Sequence, residues 1–374
     1  MTNNRQRIIL VVSNDLSCDA RVHKMATTLT NAGYSVLVLG RKLPQSLPLS
    51  EMPYEQRRLR FLCNRGALLY AEMNIRFFFF LLFRKFDLAT ANDLDTLLAV
   101  YCATKIRRKA LVYDSHEYFT EVPELQQRPR VKRIWQGIEL RIFPKLRNAM
   151  TVCESIAKIY QQKYHTNVEV VRNVPFLQST QPIPVNLQLP SKHVVLYQGA
   201  LNLGRGLEML IESMQFLTDV CLLLVGDGDK MVELKQLAQE KGVTEKVIFT
   251  GKIPFEKLPS YTQLATIGVS VEEDWGENYR YALPNKLFDY IHAGKPVLVS
   301  DLPEMRNIVE TYRCGEVLQN RAPELVARQI QSFLQNTTQL QIYAQQSRKA
   351  SEELCWQREE EKILQLYRNS LNFN

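Results

Sequence analysis

Short apolar runs alternate with longer segments of helical periodicity along most of the chain. The first run, residues 8–12, is continuously apolar, which is typical of a strand buried on both faces of a parallel sheet. Asp19 is placed to cap the helix that follows, and Gly33 ends it before a second strand at residues 35–39. The pattern thus predicts a βα unit with a ligand edge at residues 13–21.

The same alternation continues and then restarts after a polar stretch. Residues 172–190 carry four prolines, which is typical of an interdomain linker. This pattern predicts two α/β domains, an N-terminal domain over residues 1–175 and a C-terminal domain over residues 191–350. Residues 351–374 are expected to form a helix that packs back toward the N-terminal domain.

The most apolar segment lies in the first half, at residues 66–85. Seven consecutive large apolar residues begin at Phe77 and end at Phe83, with basic residues on both sides. Because a helix packed on a sheet needs only one apolar face, this pattern predicts either burial on several sides or contact with an anionic membrane surface. The segment is expected to be too short to cross a bilayer.

Composition and charge narrow the class of protein. The 374 residues are 45% hydrophobic and 23% charged, as expected for a globular protein with two cores. The formal net charge of +8 favours anionic partners, but no basic arm or RNA-binding aromatic motif is present, so nucleic acid is not expected as a partner. The seven cysteines never pair as CxxC, and no signal-peptide core is expected, so a cytoplasmic location is predicted.

The candidate chemistry is concentrated at residues 281–301, YALPNKLFDYIHAGKPVLVSD. The helix predicted there starts at Pro284, and the next residues, Asn285, Lys286 and Leu287, offer free N–H groups and a cation that suit a phosphate group. One turn later, Asp289 lies on the same face, and its carboxylate can accept hydrogen bonds from the two hydroxyls of a ribose. The alternative is an ordinary capped helix with a surface pair between Lys286 and Asp289.

A second cationic turn follows the strand predicted at residues 193–198. Gly199 and Gly206 allow a tight turn, and Arg205 lies beside the start of the next helix. Asp227 and Asp229 imitate a metal-binding DxD motif, but they fall in a strand-to-helix turn where aspartate and glycine are favoured anyway. No metal site is predicted.

In the first half, the candidate residues follow the ends of predicted strands. Ser13, Asp15 and Arg21 follow the first strand, and His116 and Glu117 follow the strand at residues 110–114. Open α/β sheets bind their ligands at this edge, so these residues are predicted to lie at a ligand site. The alternative for a lone histidine in a loop is a structural role.

With these residues in place, the chain resembles the retaining glycosyltransferases of family 4. The resemblance is strongest over residues 194–303 and implies the GT-B fold, in which two Rossmann-like domains face each other across a cleft. In that family, the first strand of the donor half is followed by Gly-Arg and then by Lys-Gly. Here Gly199-Ala200 and Arg205-Gly206 occupy those places, so one cation is kept and the other is replaced.

The family's Glu-x7-Glu motif falls on Tyr281 and Asp289. The resemblance assigns the second carboxylate, Asp289, to the ribose, whereas the first, which touches the sugar or its phosphates, is replaced by Tyr281. Lys286 is expected to supply positive charge near the diphosphate. Lys252 and Ile253 resemble the segment whose backbone reads the nucleotide base.

The resemblance implies transfer of a sugar from a nucleoside diphosphate sugar to a glycan or lipid-linked acceptor, in surface polysaccharide or glycan biosynthesis. It makes the first half of the chain the acceptor half, so the residues at its ligand edge are expected on the acceptor side: Ser13, Asp15, Arg21, His116 and Glu117. His116 matches the family's histidine near the anomeric carbon, so His116, Arg205 and Lys286 are the implied catalytic residues. Neither a cofactor nor a metal is expected, because two cations can neutralise the diphosphate. The alternatives are a UDP-sugar 2-epimerase of similar architecture and a non-catalytic module that binds a nucleotide sugar or a membrane surface.

Overall fold

The structure, a computed structural model, describes residues 5–17, 19–63, 65–177 and 183–372. The chain divides into two compact units. Unit 1 comprises Met1–Asn173 and Arg358–Asn374, and unit 2 comprises Val174–Gln357. The division falls in the proline-rich stretch, and the C-terminal segment joins unit 1 from residue 358 onwards.

Unit 1 is built on seven parallel strands: β1 (Arg7–Val11), β2 (Ser35–Lys42), β3 (Glu55–Arg60), β4 (Leu88–Asn92), β5 (Ala110–Ser115), β6 (Ala149–Thr151) and β7 (Val168–Val170). Their order in the sheet is β3-β2-β1-β4-β5-β6-β7. The chain changes direction across the sheet between β1 and β4. Open α/β sheets bind ligands beyond the carboxyl ends of the strands at such a switch point.

Helices connect these strands: α1 (Ala20–Asn31), α2 (Gly66–Phe83), α3 (Leu94–Arg107), α4 (Pro123–Gln126), α5 (Pro129–Ile142) and α6 (Glu154–Tyr164). The predicted cap of α1 is confirmed, because the Asp19 carboxylate accepts a hydrogen bond from the Val22 N–H. That cap satisfies one of the N–H groups that a helix start leaves unpaired.

Helix α2 has one buried face, not several. The buried residues recur every fourth position: Leu69, Met73, Phe77 and Leu81. By length and composition alone, this 18-residue helix is long enough to cross a membrane, so the expectation that it is too short is wrong. It connects two strands of one sheet, β3 and β4, and a connection of that kind packs along the sheet.

Unit 2 is built on six parallel strands: β8 (His193–Gln198), β9 (Val220–Val225), β10 (Val247–Gly251), β11 (Ile267–Ser270), β12 (Val297–Val299) and β13 (Gly315–Val317). Their order is β10-β9-β8-β11-β12-β13, so the switch point lies between β8 and β11. Apolar clusters bury both faces of this sheet. The predicted α/β fold of two parallel-sheet domains is confirmed.

The helices that follow are α7 (Leu207–Ser213), α8 (Met231–Glu240), α9 (Leu258–Thr262), α10 (Glu277–Arg280), α11 (Asn285–His292), α12 (Pro303–Tyr312), α13 (Pro323–Gln335), α14 (Thr337–Glu353) and α15 (Trp356–Asn372). Helix α15 begins in unit 2 and continues in unit 1. Its unit 1 part is anchored by Tyr367, whose hydroxyl lies 2.6 Å from Thr90 Oγ1, and by Glu360, which accepts a hydrogen bond from Thr28.

Candidate active site

The turn after β8 has a backbone that only glycine fits at one position. Gly206 has a φ of +70°, and a Cβ there would lie 2.2 Å from the carbonyl oxygen of Val271. A side chain at this position would strain the backbone and clash with that carbonyl. The close approach places Arg205, the preceding residue, beside the end of β11.

Lys286 lies inside the site, in the first turn of α11. Its side chain is buried, and its Nζ lies 2.8 Å from Oε1 of Glu272 and 3.8 Å from the ring centroid of Tyr197. A Cβ on Gly199 would lie 3.4 Å from Lys286 Cε, so the lysine stem passes directly under the turn. The alternative of a surface pair with Asp289 is therefore wrong.

Glu272, which the sequence analysis did not select, connects the two cations. It is fully buried just after β11, and Lys286 and Ser270 Oγ donate to its carboxylate at 2.8 Å each, while Arg205 Nη1 lies 3.9 Å away. Burial opposes the charge of this carboxylate, but Lys286 outweighs burial and holds the pKa of Glu272 below its ordinary value. Glu272 therefore stays ionised at neutral pH.

Arg205 retains hydrogen-bonding capacity for a ligand. Its guanidinium carbon lies 5.4 Å from the ring centroid of Tyr279, and its buried Nε has no hydrogen-bond partner among the residues that the structure describes. A buried donor without a partner is costly unless a ligand completes it. The two cations Arg205 and Lys286 and the carboxylate of Glu272 together carry one net positive charge, which suits a diphosphate.

Asp289 is held at the end of β8 through Gln198. The Gln198 amide donates to Asp289 Oδ2 at 2.8 Å, and its carbonyl oxygen accepts from Thr262 Oγ1 at 2.8 Å. Helix α11 begins at Asn285, one residue after the predicted start at Pro284. The Leu287 N–H, however, donates to the Pro284 carbonyl at 3.1 Å, so the expectation that Leu287 offers a free N–H is wrong.

Three of the expected donor residues lie at the same edge without a contact that assigns their role. Lys252 and Ile253 directly follow β10, the lysine exposed and the isoleucine packed against the core. Tyr281 ends α10, where its N–H donates to the Glu277 carbonyl. Their roles toward the base and the sugar stay predictions.

In unit 1, His116 lies between two carboxylates. Its Nδ1 is 3.3 Å from Asp93 and its Nε2 is 3.1 Å from Asp114, while its backbone N–H donates to Asp93 at 2.8 Å. Burial opposes the charge of the imidazole, but Asp93 and Asp114 outweigh burial and raise the pKa of His116 to about 9. His116 is therefore an imidazolium at neutral pH and cannot serve as a base in that state.

Asp93 is a second residue that sequence reasoning missed. It follows β4 at the switch point of unit 1, with a φ of +62° and a ψ of 167°, a backbone conformation that residues other than glycine rarely adopt. Burial raises the pKa of Asp93 to about 7 and that of Asp95, two residues on, to about 6. Strained backbone and displaced pKa values concentrate at functional sites, so this edge is a candidate site in its own right.

The other acceptor-side residues divide into supporting and surface groups. Arg21 is buried, and all three of its guanidinium nitrogens bond to Asp114 or to the Val171 carbonyl, so Arg21 supports the site through Asp114 instead of facing a ligand as expected. Asp15 accepts hydrogen bonds from Ser17 in its own loop and from Ser46 in the loop after β2. The partly exposed Ser13 and the exposed Glu117 follow β1 and β5, at the predicted edge.

Within the described ranges, no three His, Cys, Asp or Glu side chains are grouped as a metal ion would need. Asp227 and Asp229 form the expected tight turn, in which Asp227 Oδ1 accepts from the Gly228 N–H and the Asp229 N–H donates to Asn202. Metal independence of any reaction stays a prediction.

Two family models match consecutive parts of this chain. Residues 20–174 match the Glycosyltransferase Family 4 model, and residues 181–350 match the model of Glycosyl transferases group 1. The chain is 31% identical over 97 residues to a lipopolysaccharide core biosynthesis glycosyltransferase of Rhizobium meliloti, covering 25% of this chain and 28% of that protein. The matches span only 22–46% of the length of the curated relatives.

Solved structures resemble the chain over its whole length. Sucrose-phosphate synthase from Thermosynechococcus elongatus aligns with a TM-score of 0.82 at 19% identity, covering 99% of this chain and 100% of that one. The Anabaena protein HepE in complex with UDP-glucose aligns with a TM-score of 0.76 at 16% identity, covering 98% and 100%. The fold is therefore GT-B. The chain belongs to the GT-B glycosyltransferases, with a family 4 domain followed by a group 1 domain.

Proposed function

We propose that the protein is a glycosyltransferase that moves a sugar from a nucleoside diphosphate sugar to an acceptor hydroxyl with retention of the anomeric configuration. The observation that carries this proposal is the arrangement of Arg205 and Lys286 around buried Glu272, at the switch point of the group 1 domain. That arrangement supplies net positive charge and an unpaired buried donor where a diphosphate would bind.

The chemical step follows from where charge develops. The bond from the anomeric carbon to the β-phosphate oxygen breaks, the bond to the acceptor oxygen forms, and the acceptor proton passes to the leaving phosphate. Arg205 and Lys286 stabilise the growing negative charge of the diphosphate from fixed positions. Glu272 is engaged by Lys286 and Ser270, which leaves it unsuited to attack the sugar.

The donor is tested by a panel of UDP-, GDP- and ADP-sugars, scored by thermal unfolding and by turnover with EDTA present. We expect one donor class to raise Tm, because a ligand at a hundredfold excess over its Kd stabilises the folded protein by about 2.7 kcal/mol. We expect the same donor class to be consumed when an acceptor glycan is present. Stabilisation by none of the donors would contradict the proposal. Consumption of the donor without any acceptor would indicate an epimerase. Binding of the donor without consumption would indicate a binding module. Loss of activity with EDTA and its recovery with Mg²⁺ would indicate a metal requirement.

The acceptor is proposed to be a glycan or a lipid-linked glycan of surface polysaccharide biosynthesis, reached from an anionic membrane surface. Four exposed apolar residues on one face of α2 support this part of the proposal and are here called the apolar stripe: Leu68, Ile75, Phe79 and Phe83. Residues 55–85 contain seven cationic and two anionic side chains, so the stripe has a basic surround that suits anionic headgroups.

The double variant Phe79→Ser/Phe83→Ser is expected to weaken co-sedimentation with phosphatidylglycerol vesicles at least tenfold, because each exposed ring contributes apolar area to an interfacial helix. The matched control, Ile134→Ser/Leu140→Ser, removes two exposed apolar residues from α5 and is expected to leave co-sedimentation unchanged. Equal binding by wild type and the α2 variant would rule out the stripe as a membrane-binding surface. Equal binding to neutral and anionic vesicles would rule out attraction of the basic residues to anionic headgroups.

A further inference from the structure

Trp275, an exposed aromatic residue of unit 2, lies beside the turn after β8 that carries Arg205. It has no role in the site described above. Trp275 is 45% exposed, whereas the other two tryptophans, Trp135 and Trp356, are 6% and 0% exposed. Its ring packs over the turn after β8, because a Cβ on Gly204 would lie 3.6 Å from Trp275 Cδ2. One part of the indole thus contacts the turn, and the rest is open to a ligand.

The segment that carries Trp275 is tied to the same turn. The Glu273 N–H donates to the Gly204 carbonyl at 2.9 Å, and the Tyr279 hydroxyl donates to the Leu203 carbonyl at 3.2 Å. A side-chain pair between Asp274 and Arg280, 2.9 Å apart, closes the segment around the tryptophan. The indole is therefore held in place, as a binding surface requires.

The order of the strands gives the direction in which a bound donor would extend. The strands lie in the order β10-β9-β8-β11, with the expected base contacts Lys252 and Ile253 after β10 and the cationic turn of Arg205 after β8. A diphosphate at that turn would leave the sugar on the side away from the base, at the end of β11. Trp275 lies there, in the loop after β11 that also carries Glu273 and Asp274, and its indole packs on Gly204 of the turn.

We propose that Trp275 is the stacking surface for the sugar ring of the donor, with the neighbouring carboxylates as acceptors for its hydroxyls. This inference rests on the proposed function. A pyranose has one face of C–H groups that packs on an aromatic ring, while its hydroxyls need hydrogen-bond partners at the edge. Trp275 would thereby distinguish a nucleotide sugar from the bare nucleoside diphosphate, which the cations bind equally well.

The experiment uses the fluorescence of the full chain, since Trp275 is the exposed one of three tryptophans. UDP-glucose with UDP, and GDP-mannose with GDP, are titrated while emission and acrylamide quenching are recorded. We expect the nucleotide sugar to shift the emission and to protect against quenching, and the nucleoside diphosphate to do neither. Trp275→Phe is expected to abolish the signal while retaining binding of both ligands by thermal shift.

Trp275→Ala is expected to bind the nucleotide sugar about three- to tenfold more weakly and the nucleoside diphosphate unchanged. The matched control is Phe216→Ala, which removes an exposed ring just before β9, at the opposite edge of the sheet. An unchanged preference for nucleotide sugar in Trp275→Ala, or an equal loss for both ligands, would overturn this inference and leave the proposed function standing. Absence of binding by both donor pairs in wild type, joined to a negative donor panel, would overturn both.

Discussion

Arg205→Ala is expected to lower kcat about 100- to 1,000-fold, the typical cost of one fixed donor to a developing negative charge. The guanidinium lies at the switch point with a buried Nε that the described residues leave unpaired, so its binding capacity is directed at a ligand. Because the charge of the diphosphate grows as the bond to the sugar breaks, most of the loss should fall on kcat and a smaller part on KM.

A control variant for Arg205→Ala removes one positive charge at a position away from the site. Arg328 is exposed on α13, and Arg328→Ala is expected to leave kcat unchanged. Arg205→Lys should recover part of the rate, since an ammonium restores the charge and not the planar fork. If the kcat of Arg205→Ala stays within threefold of the wild-type value, Arg205 has no catalytic role. If Arg328→Ala loses as much kcat as Arg205→Ala, the loss comes from the change in net charge and not from the position of Arg205.

Sequence reasoning places a strand most accurately where its apolar run is continuous. β8 begins and ends at the predicted residues, because both faces of a central parallel strand are buried. The two strands that it missed are edge strands. β3 reads EQRRLR and is recognisable as a strand only through its pairing with β2, and β13 has three residues. Polar or short edges protect sheets from aggregation and also remove the periodic signal.

Site residues could likewise be predicted where the signal is local in sequence, and were missed where it depends on a residue distant in sequence. Lys286 and Arg205 could be found because a cation at a helix start is a local pattern. Glu272 could not, because the sequence offers two adjacent glutamates and only the fold buries one of them against a lysine 14 residues later.

Asp93 was missed for the same reason, since its partner His116 lies 23 residues further along the chain. Helix α2 adds a third case. Seven consecutive apolar residues do not tell which of them face the sheet, and the structure divides Phe77, which is buried, from Phe79, which is exposed.

Glu272→Ala is expected to destabilise unit 2 by roughly 3–5 kcal/mol, the cost of removing one partner from a buried ion pair. Lys286 would remain buried without its carboxylate, and Arg205 would lose the nearest opposite charge. Thermal or denaturant unfolding of the full chain measures this change. Asp274→Ala breaks an exposed pair in the same segment and is expected to cost less than about 1 kcal/mol, so it serves as the matched control.

A second variant separates the charge effect from simple loss of packing. If the cost of Glu272→Ala comes from the uncompensated Lys286 charge, then Glu272→Ala/Lys286→Met should be more stable than Glu272→Ala alone, because no buried charge is left unpaired. The same double variant should remain as inactive as Lys286→Met, since it lacks a cation of the diphosphate site. An Ala variant as stable as the Asp274 control, or a double variant less stable than Glu272→Ala, would show that Glu272 does not hold Lys286 in its charged, buried position.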